Sequence, residues 1–299
     1  MSRARALIWL ALAALIGACA GDPITEPQVL GGEEVPAELL SEGRDLYARY
    51  CVTCHGEHGD GAGLAAPGMR PAPRDFRTAR FKFAGAPDQA LPHDDELLRI
   101  VRGGLAGTAM RPWDLHEREL RAIIAYIKTF SPPGQGFRDP SRDVARPDIA
   151  PDPYEGRESE AIAEGEKIYH TVLQCNQCHP TYVAPERYDD WEFPLPRADA
   201  PYRPAPRFSP AYDDVLIPDD FLRHPLRSVR RDDTGRLRGD DLYRVIAYGL
   251  QGPMPGYGHL GDETLWAVVH YVRSLAERRE SEQGRELMVQ MRAWQKASE

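Results

Sequence analysis

The stretch Cys51-Val52-Thr53-Cys54-His55 constrains this chain more than any other, and it has a double at Cys175-Asn176-Gln177-Cys178-His179. Two thiols three residues apart, followed at once by an imidazole, form the attachment pattern of a c-type haem. The chemistry fixes the spacing. Each thiol adds across one vinyl group of a porphyrin, and the next residue lies under the ring, where His55 or His179 reaches the iron as proximal ligand. Cys and His are rare enough that one chance match in a chain of 299 residues is on the order of one in a thousand. Two matches imply two covalently attached haem c groups, around each of which part of the chain must fold.

Other uses of paired cysteines fit less well. In a structural zinc site each histidine would be redundant, and the roughly 120 residues between the pairs exceed compact zinc spacings. A redox CxxC usually follows a strand, whereas both motifs here follow helical patterns. The fifth cysteine, Cys19, ends the run Ile16-Gly17-Ala18-Cys19. Before it, Arg3 and Arg5 precede an apolar core of residues 6–16, too short to span a bilayer but suited to a signal peptide. The run resembles a bacterial lipobox, which implies lipidation of Cys19 after removal of residues 1–18. A signal peptide cut near Ala18 or Ala20 is the alternative. With four cysteines in haem motifs and one at the lipobox, none is left for a disulfide. The net charge of -9 argues against nucleic acid as partner.

Residues 19–36, rich in Gly, Pro and Glu, read as a flexible tether. Leu39, Leu40, Gly43, Leu46, Tyr47 and Tyr50 fall at helical spacing and predict a helix running into the first motif. Further helices are predicted over 95–102 and 117–130, with a glycine-rich break at 103–110 between them. Residues 132–157 carry many prolines and read as a semi-extended linker between separately folded halves, 37–131 and 158–276. A helix over 158–174 then leads to the second motif, with Gly165 and Tyr169 placed nearly as Gly43 and Tyr47 are.

The halves repeat each other. Asp95-Glu96-Leu97-Leu98-Arg99 aligns with Asp240-Asp241-Leu242-Tyr243-Arg244, and Ala122-Ile123-Ile124-Ala125-Tyr126 with Ala267-Val268-Val269-His270-Tyr271. The second half is 20 residues longer between its first cysteine and the aligned methionine. The aromatic run 184–212 reads as a surface elaboration that holds the extra length. Residues 277–299 form a charged C-terminal helix or tail with Leu287, Met291 and Trp294 on one stripe.

On these motifs, over residues 38–131 and 158–276, both halves resemble class I cytochromes c. The resemblance implies an all-α fold of two tandem cytochrome c domains. In each, the helix carrying the CxxCH crosses the last helix where a small residue meets an aromatic, here Gly43 with Tyr126 and Gly165 with Tyr271. It further implies a loop that brings a methionine to the iron's distal face. Met110 and Met254 follow equivalent glycine turns and are the expected distal ligands, although Arg111 stands where the family's Met-Pro loop has proline. Met69 is the rival in the first half. Of the histidines outside the motifs, most are expected at the surface, and His259, five residues after Met254, is the one to check. Arg99 and Arg244 are expected either to pair with a haem propionate or to lie in solvent.

An iron held by His and Met has no open position for substrate, so an electron-transfer protein is expected and not an enzyme, with no catalytic residues and no small-molecule substrate. Its expected place is the outer side of a bacterial membrane, lipid-anchored at Cys19, relaying electrons between redox protein partners in a respiratory chain. Two alternatives stay open: the cytochrome subunit of a larger dehydrogenase or oxidase, and a dihaem cytochrome c peroxidase, which needs one displaceable ligand.

Overall fold

The computed structural model describes residues 23–87, 90–194, 202–210, 212, 214–252 and 254–298. Cys19 and the apolar run before it lie outside them. The described chain opens with a hairpin of β1 (Gln28–Leu30) and β2 (Glu33–Val35). This corrects the reading of 19–36 as a tether throughout. Leu30 pairs with Glu33, so the connection is the two residues Gly31 and Gly32, at φ of 64° and 82°. Positive φ at both central positions is what a tight hairpin turn demands. Leu30 and Val35 then bury against Leu40 and Ala125, which anchors the hairpin.

The helical frame follows in order: α1 (Ala37–Tyr50), the single turn α2 (Val52–His55), the two-residue strand β3 (Leu91–Pro92), α3 (Asp94–Gly103) and α4 (Glu117–Lys128). After β4 (Val144–Ala145), which pairs with β3, come α5 (Glu158–His170), the short α6 (Glu186–Asp190), a hairpin of β5 (Arg207–Ser209) and β6 (Asp214–Leu216), α7 (Gly239–Tyr248), α8 (Asp262–Glu277) and α9 (Glu282–Ser298). The result is the all-α architecture expected, with three two-stranded ribbons added among the described residues.

Each half is built on one helix crossing, α1 on α4 and α5 on α8, and glycine permits both. A Cβ on Gly43 would lie 2.0 Å from the Ala122 carbonyl oxygen and 2.9 Å from Tyr126 Cβ. On Gly165 it would lie 2.0 Å from the Ala267 oxygen and 2.9 Å from Tyr271 Cβ. No side chain fits at either place, so the backbones touch and the aromatic seals the crossing. α5 stops at His170, not at 174, because the second half has two more residues between its tyrosine and its first cysteine, and Gln174 absorbs them at φ 49°.

The halves are not separate. Glu96 and Arg99 on α3 meet their repeat equivalents Asp241 and Arg244 on α7. Arg99 lies 3.1 Å from Glu96 and 3.5 Å from Asp241, and Arg244 lies 3.1 Å from Glu96 and 3.0 Å from Asp241. Each residue of one half finds the complementary residue of the other, as at a two-fold interface. All four side chains are nearly sequestered from water, so Arg99 and Arg244 are not solvated helix arginines, and their carboxylate partners are Glu96 and Asp241. The linker is fastened too. Asp148 N–H donates to the Tyr248 hydroxyl at 2.7 Å, Trp266 Nε1 to the Ala150 carbonyl at 3.0 Å, and His270 Nε2 to Asp152 at 2.7 Å.

The insert of the second half is also more than surface. Tyr188 is fully buried and its hydroxyl accepts from Asn176 Nδ2 at 2.7 Å, inside the CxxCH itself. α9 packs back as its stripe predicts, with Met291 buried and Trp294 against Tyr202 at 5.9 Å between ring centroids.

Candidate functional site

The two motifs open into one continuous cavity of about 950 Å³. Its lining includes Cys51, Cys54, His55 and Met110 from the first half and Cys175, Cys178, His179 and Met254 from the second, among mostly apolar neighbours. All eight sequence-predicted residues therefore meet there. Among the described residues that line it, His55 and His179 are the histidines. His259 is exposed on a short turn and does not line it. Met69 does line it, so two thioethers reach the first half's portion.

Each proximal ring is oriented in the same way. His55 Nδ1 lies 3.1 Å from the Arg74 carbonyl oxygen and His179 Nδ1 lies 2.8 Å from that of Asp219. A carbonyl can only accept, so Nδ1 carries the proton and Nε2 is left with its lone pair for a metal. Phe76 stacks on His55 with centroids 4.4 Å apart, and Phe221 on His179 at 4.9 Å. Burial pushes the pKa of both imidazoles down, keeping them neutral, the form a ligand needs. Behind each motif a buried tyrosine holds the loop: Tyr47 donates to the Gly56 carbonyl at 2.7 Å and Tyr169 to that of Pro180 at 3.0 Å.

The methionine turns match as well. Leu105 N–H donates to the Met110 carbonyl and Leu250 N–H to that of Met254, both at 2.9 Å. Trp113 N–H then returns to Val101 at 3.3 Å and Tyr257 N–H to Ile246 at 3.0 Å, so each loop folds back onto the end of its helix. Met69 has no such counterpart in the repeat. The loss of proline at Arg111 leaves the turn intact.

His170 and His270 escaped the sequence reading, which put them at the surface; both are buried. His170 donates from Nδ1 to the Glu166 carbonyl at 2.7 Å, and burial pushes its pKa down to about 4. Their neighbours include aromatic residues from farther off in the chain, Tyr188, Trp191 and Tyr271 around His170 and Tyr154 beside His270, which no local spacing reveals.

A family model described as cytochrome c oxidase, cbb3-type, subunit III matches residues 38–127 and again 160–272. The chain belongs to this cytochrome c family. Membership implies covalently bound haem c and haem-based electron transfer. The residues fit: paired thiols beside a neutral imidazole, and a methionine lining the same largely apolar cavity in each half. Among solved structures, one in the reducing HAO-like protein complex of Kuenenia stuttgartiensis is similar, with a TM-score of 0.59 and 28% identity. The likeness covers 78% of this cytochrome and 94% of that chain. A search of curated proteins gives no match.

Proposed function

We propose that this cytochrome is a dihaem electron carrier that relays single electrons between protein partners on the outer side of a bacterial membrane. The observation that carries the reading is the shared cavity, in which each half presents a CxxCH and a methionine turn of the same construction. Haem c supplies a one-electron ferric/ferrous couple when bound. The chain's part is to hold that couple rigid. His55 and His179, fixed through Nδ1, would each hold one haem iron, and Met110 and Met254 would each supply a thioether to it. With an imidazole and a thioether bound, neither iron would have a position left for substrate, and rigid ligands would keep reorganisation small.

A single cavity favours passage of the electron between the halves over two independent sites. The donor and acceptor are redox proteins of a respiratory chain. The solved neighbour belongs to a protein complex, which supports a subunit role over free diffusion. Lipidation of Cys19 would anchor the chain, and Cys19→Ser should then release a haem-loaded protein from membranes.

The test is ligand attack on the native protein. Carbon monoxide on the ferrous form and peroxide on the ferric form should both react slowly and far below stoichiometry at neutral pH. Rapid stoichiometric reaction at either iron would make the protein an enzyme with a displaceable ligand.

A further inference from the structure

We propose that Tyr212 is a positioning residue that ties the methionine turn of the second site to the proximal histidine of the first. The proposal rests on His55 and Met254 being iron ligands, as set out above. Tyr212 belongs to the second half, in the turn between β5 and β6. Yet two cations of the first half sit over its ring, Arg74 Cζ and Lys82 Nζ, each 4.3 Å from the centroid. Its hydroxyl donates to the Leu250 carbonyl at 3.2 Å. Leu250 N–H donates to the Met254 carbonyl at 2.9 Å, and the Arg74 carbonyl accepts from His55 Nδ1 at 3.1 Å. One aromatic side chain therefore touches both the residue that orients one proximal imidazole and the turn that presents the other site's sulfur. Gln251, in the same turn, accepts from Phe81 N–H of the same wall at 2.9 Å.

The docking is reciprocal, which makes it a feature of the pairing and not of one loop. The methionine turn of the first half lies on the proximal wall of the second. Ala106 N–H donates to the Arg227 carbonyl at 2.8 Å, and a Cβ on Gly107 would come within 2.7 Å of Pro225. The Arg227 guanidinium is 3.5 Å from Asp219, whose carbonyl accepts from His179 Nδ1 at 2.8 Å.

The consequence is coupling between the sites. The Nδ1–H···O hydrogen bond sets the donor strength of a proximal imidazole. A movement of the Met254 turn reaches Arg74 through Tyr212, and so alters the bond on His55. The state of the second site is thereby felt at the first with no ligand shared between them.

The experiment uses the full, haem-loaded protein with Tyr212→Ala and Tyr212→Phe. It reads the solvent exchange of the His55 and His179 Nδ1 protons by NMR, and the rate at which imidazole displaces the second site's methionine. Tyr212→Ala removes both contacts. It should speed exchange at His55 about tenfold, the effect of losing a desolvated cation–π contact, and leave His179 unchanged. Tyr212→Phe keeps the ring and loses the hydroxyl. It should restore His55 exchange to the wild-type rate while imidazole still displaces the second methionine about fivefold faster, as expected for one lost hydrogen bond.

Equal acceleration at His55 and His179 would mark a general loosening and overturn the proposal. So would an unchanged His55 rate in Tyr212→Ala. Met254→Ala separates the two levels. If it leaves the near-infrared sulfur-to-iron band whole, the ligand reading fails and the proposal falls with it. If it halves the band while the Tyr212 variants behave as wild type, the proposal alone is wrong.

Discussion

Asp241→Asn should be far more costly than its neighbour Asp240→Asn, and the structure gives the size of the gap. The Asp241 side chain is fully buried and faces three guanidinium groups: Arg230 at 2.9 Å, Arg244 at 3.0 Å and Arg99 at 3.5 Å. Asparagine would remove the charge and turn an N–H2 toward groups that can only donate. Stranding charge in a buried ionic set costs about 3–5 kcal/mol. Arg230 is 40% exposed and can turn to water, which brings the expectation to the lower end, about 3 kcal/mol. Asp240 instead pairs with Arg238 at 2.8 Å, with both side chains partly in solvent, and should cost under about 1 kcal/mol. Urea unfolding of the haem-loaded protein, followed by far-ultraviolet circular dichroism and Soret absorbance, measures both. Because Asp241 joins the halves, its loss should also resolve one unfolding transition into two. Equal costs for the two variants, or a loss below about 1 kcal/mol for Asp241→Asn, would refute the claim that this cluster holds the halves together.

Gly43→Ala and Gly165→Ala each push a methyl onto a backbone oxygen 2.0 Å away. Overpacking of about 3 kcal/mol, less about 1 kcal/mol for alanine's better helix propensity, predicts a net loss of about 2 kcal/mol in urea unfolding. Met110→Ala and Met254→Ala should each remove about half of the near-infrared sulfur-to-iron band and open one iron to carbon monoxide, whereas Met69→Ala should leave the band intact; spectra of the three variants decide the first site's ligand. His170, with its pKa lowered from 6.5 to about 4, refuses a proton that the unfolded chain accepts. Stability from its neutral burial is therefore complete above pH 6.5 and is lost as pH falls toward 4, by about 3 kcal/mol in all, a slope that His170→Gln should flatten when unfolding is followed against pH.

Much of the frame was legible because it is local. The helices carrying the motifs and the methionine turns each bury one face, so apolar spacing betrays them, and Gly43 and Gly165 stand out because glycine is unfavourable inside a helix and yet recurs at nearly the same place before each motif. The hairpin at Gly31 and Gly32 was obscured by composition: glycine and glutamate suggest a tether, although Val-Leu-Gly-Gly-Glu-Glu-Val places apolar residues on both sides of a tight turn. What sequence could not give was the relation of the halves. Glu96 and Asp241 read as ordinary polar positions on helices, and Arg99 and Arg244 as propionate partners or solvated arginines, until the two repeats face each other and each acid meets the other half's arginine. Their recurrence at equivalent positions was the available signal. Tyr212 left no such trace, because it belongs to the insert and its partners arise only from docking one half on the other.

The central claim, two haem c groups held by one chain, is tested most directly by intact mass. Protein exported in a host that ligates haem to CxxCH motifs should carry the mass of two covalently bound haems, and changing both Cys175 and Cys178 to alanine should leave one. A wild-type protein bearing one haem or none, or a double variant that still carries two, would contradict the account.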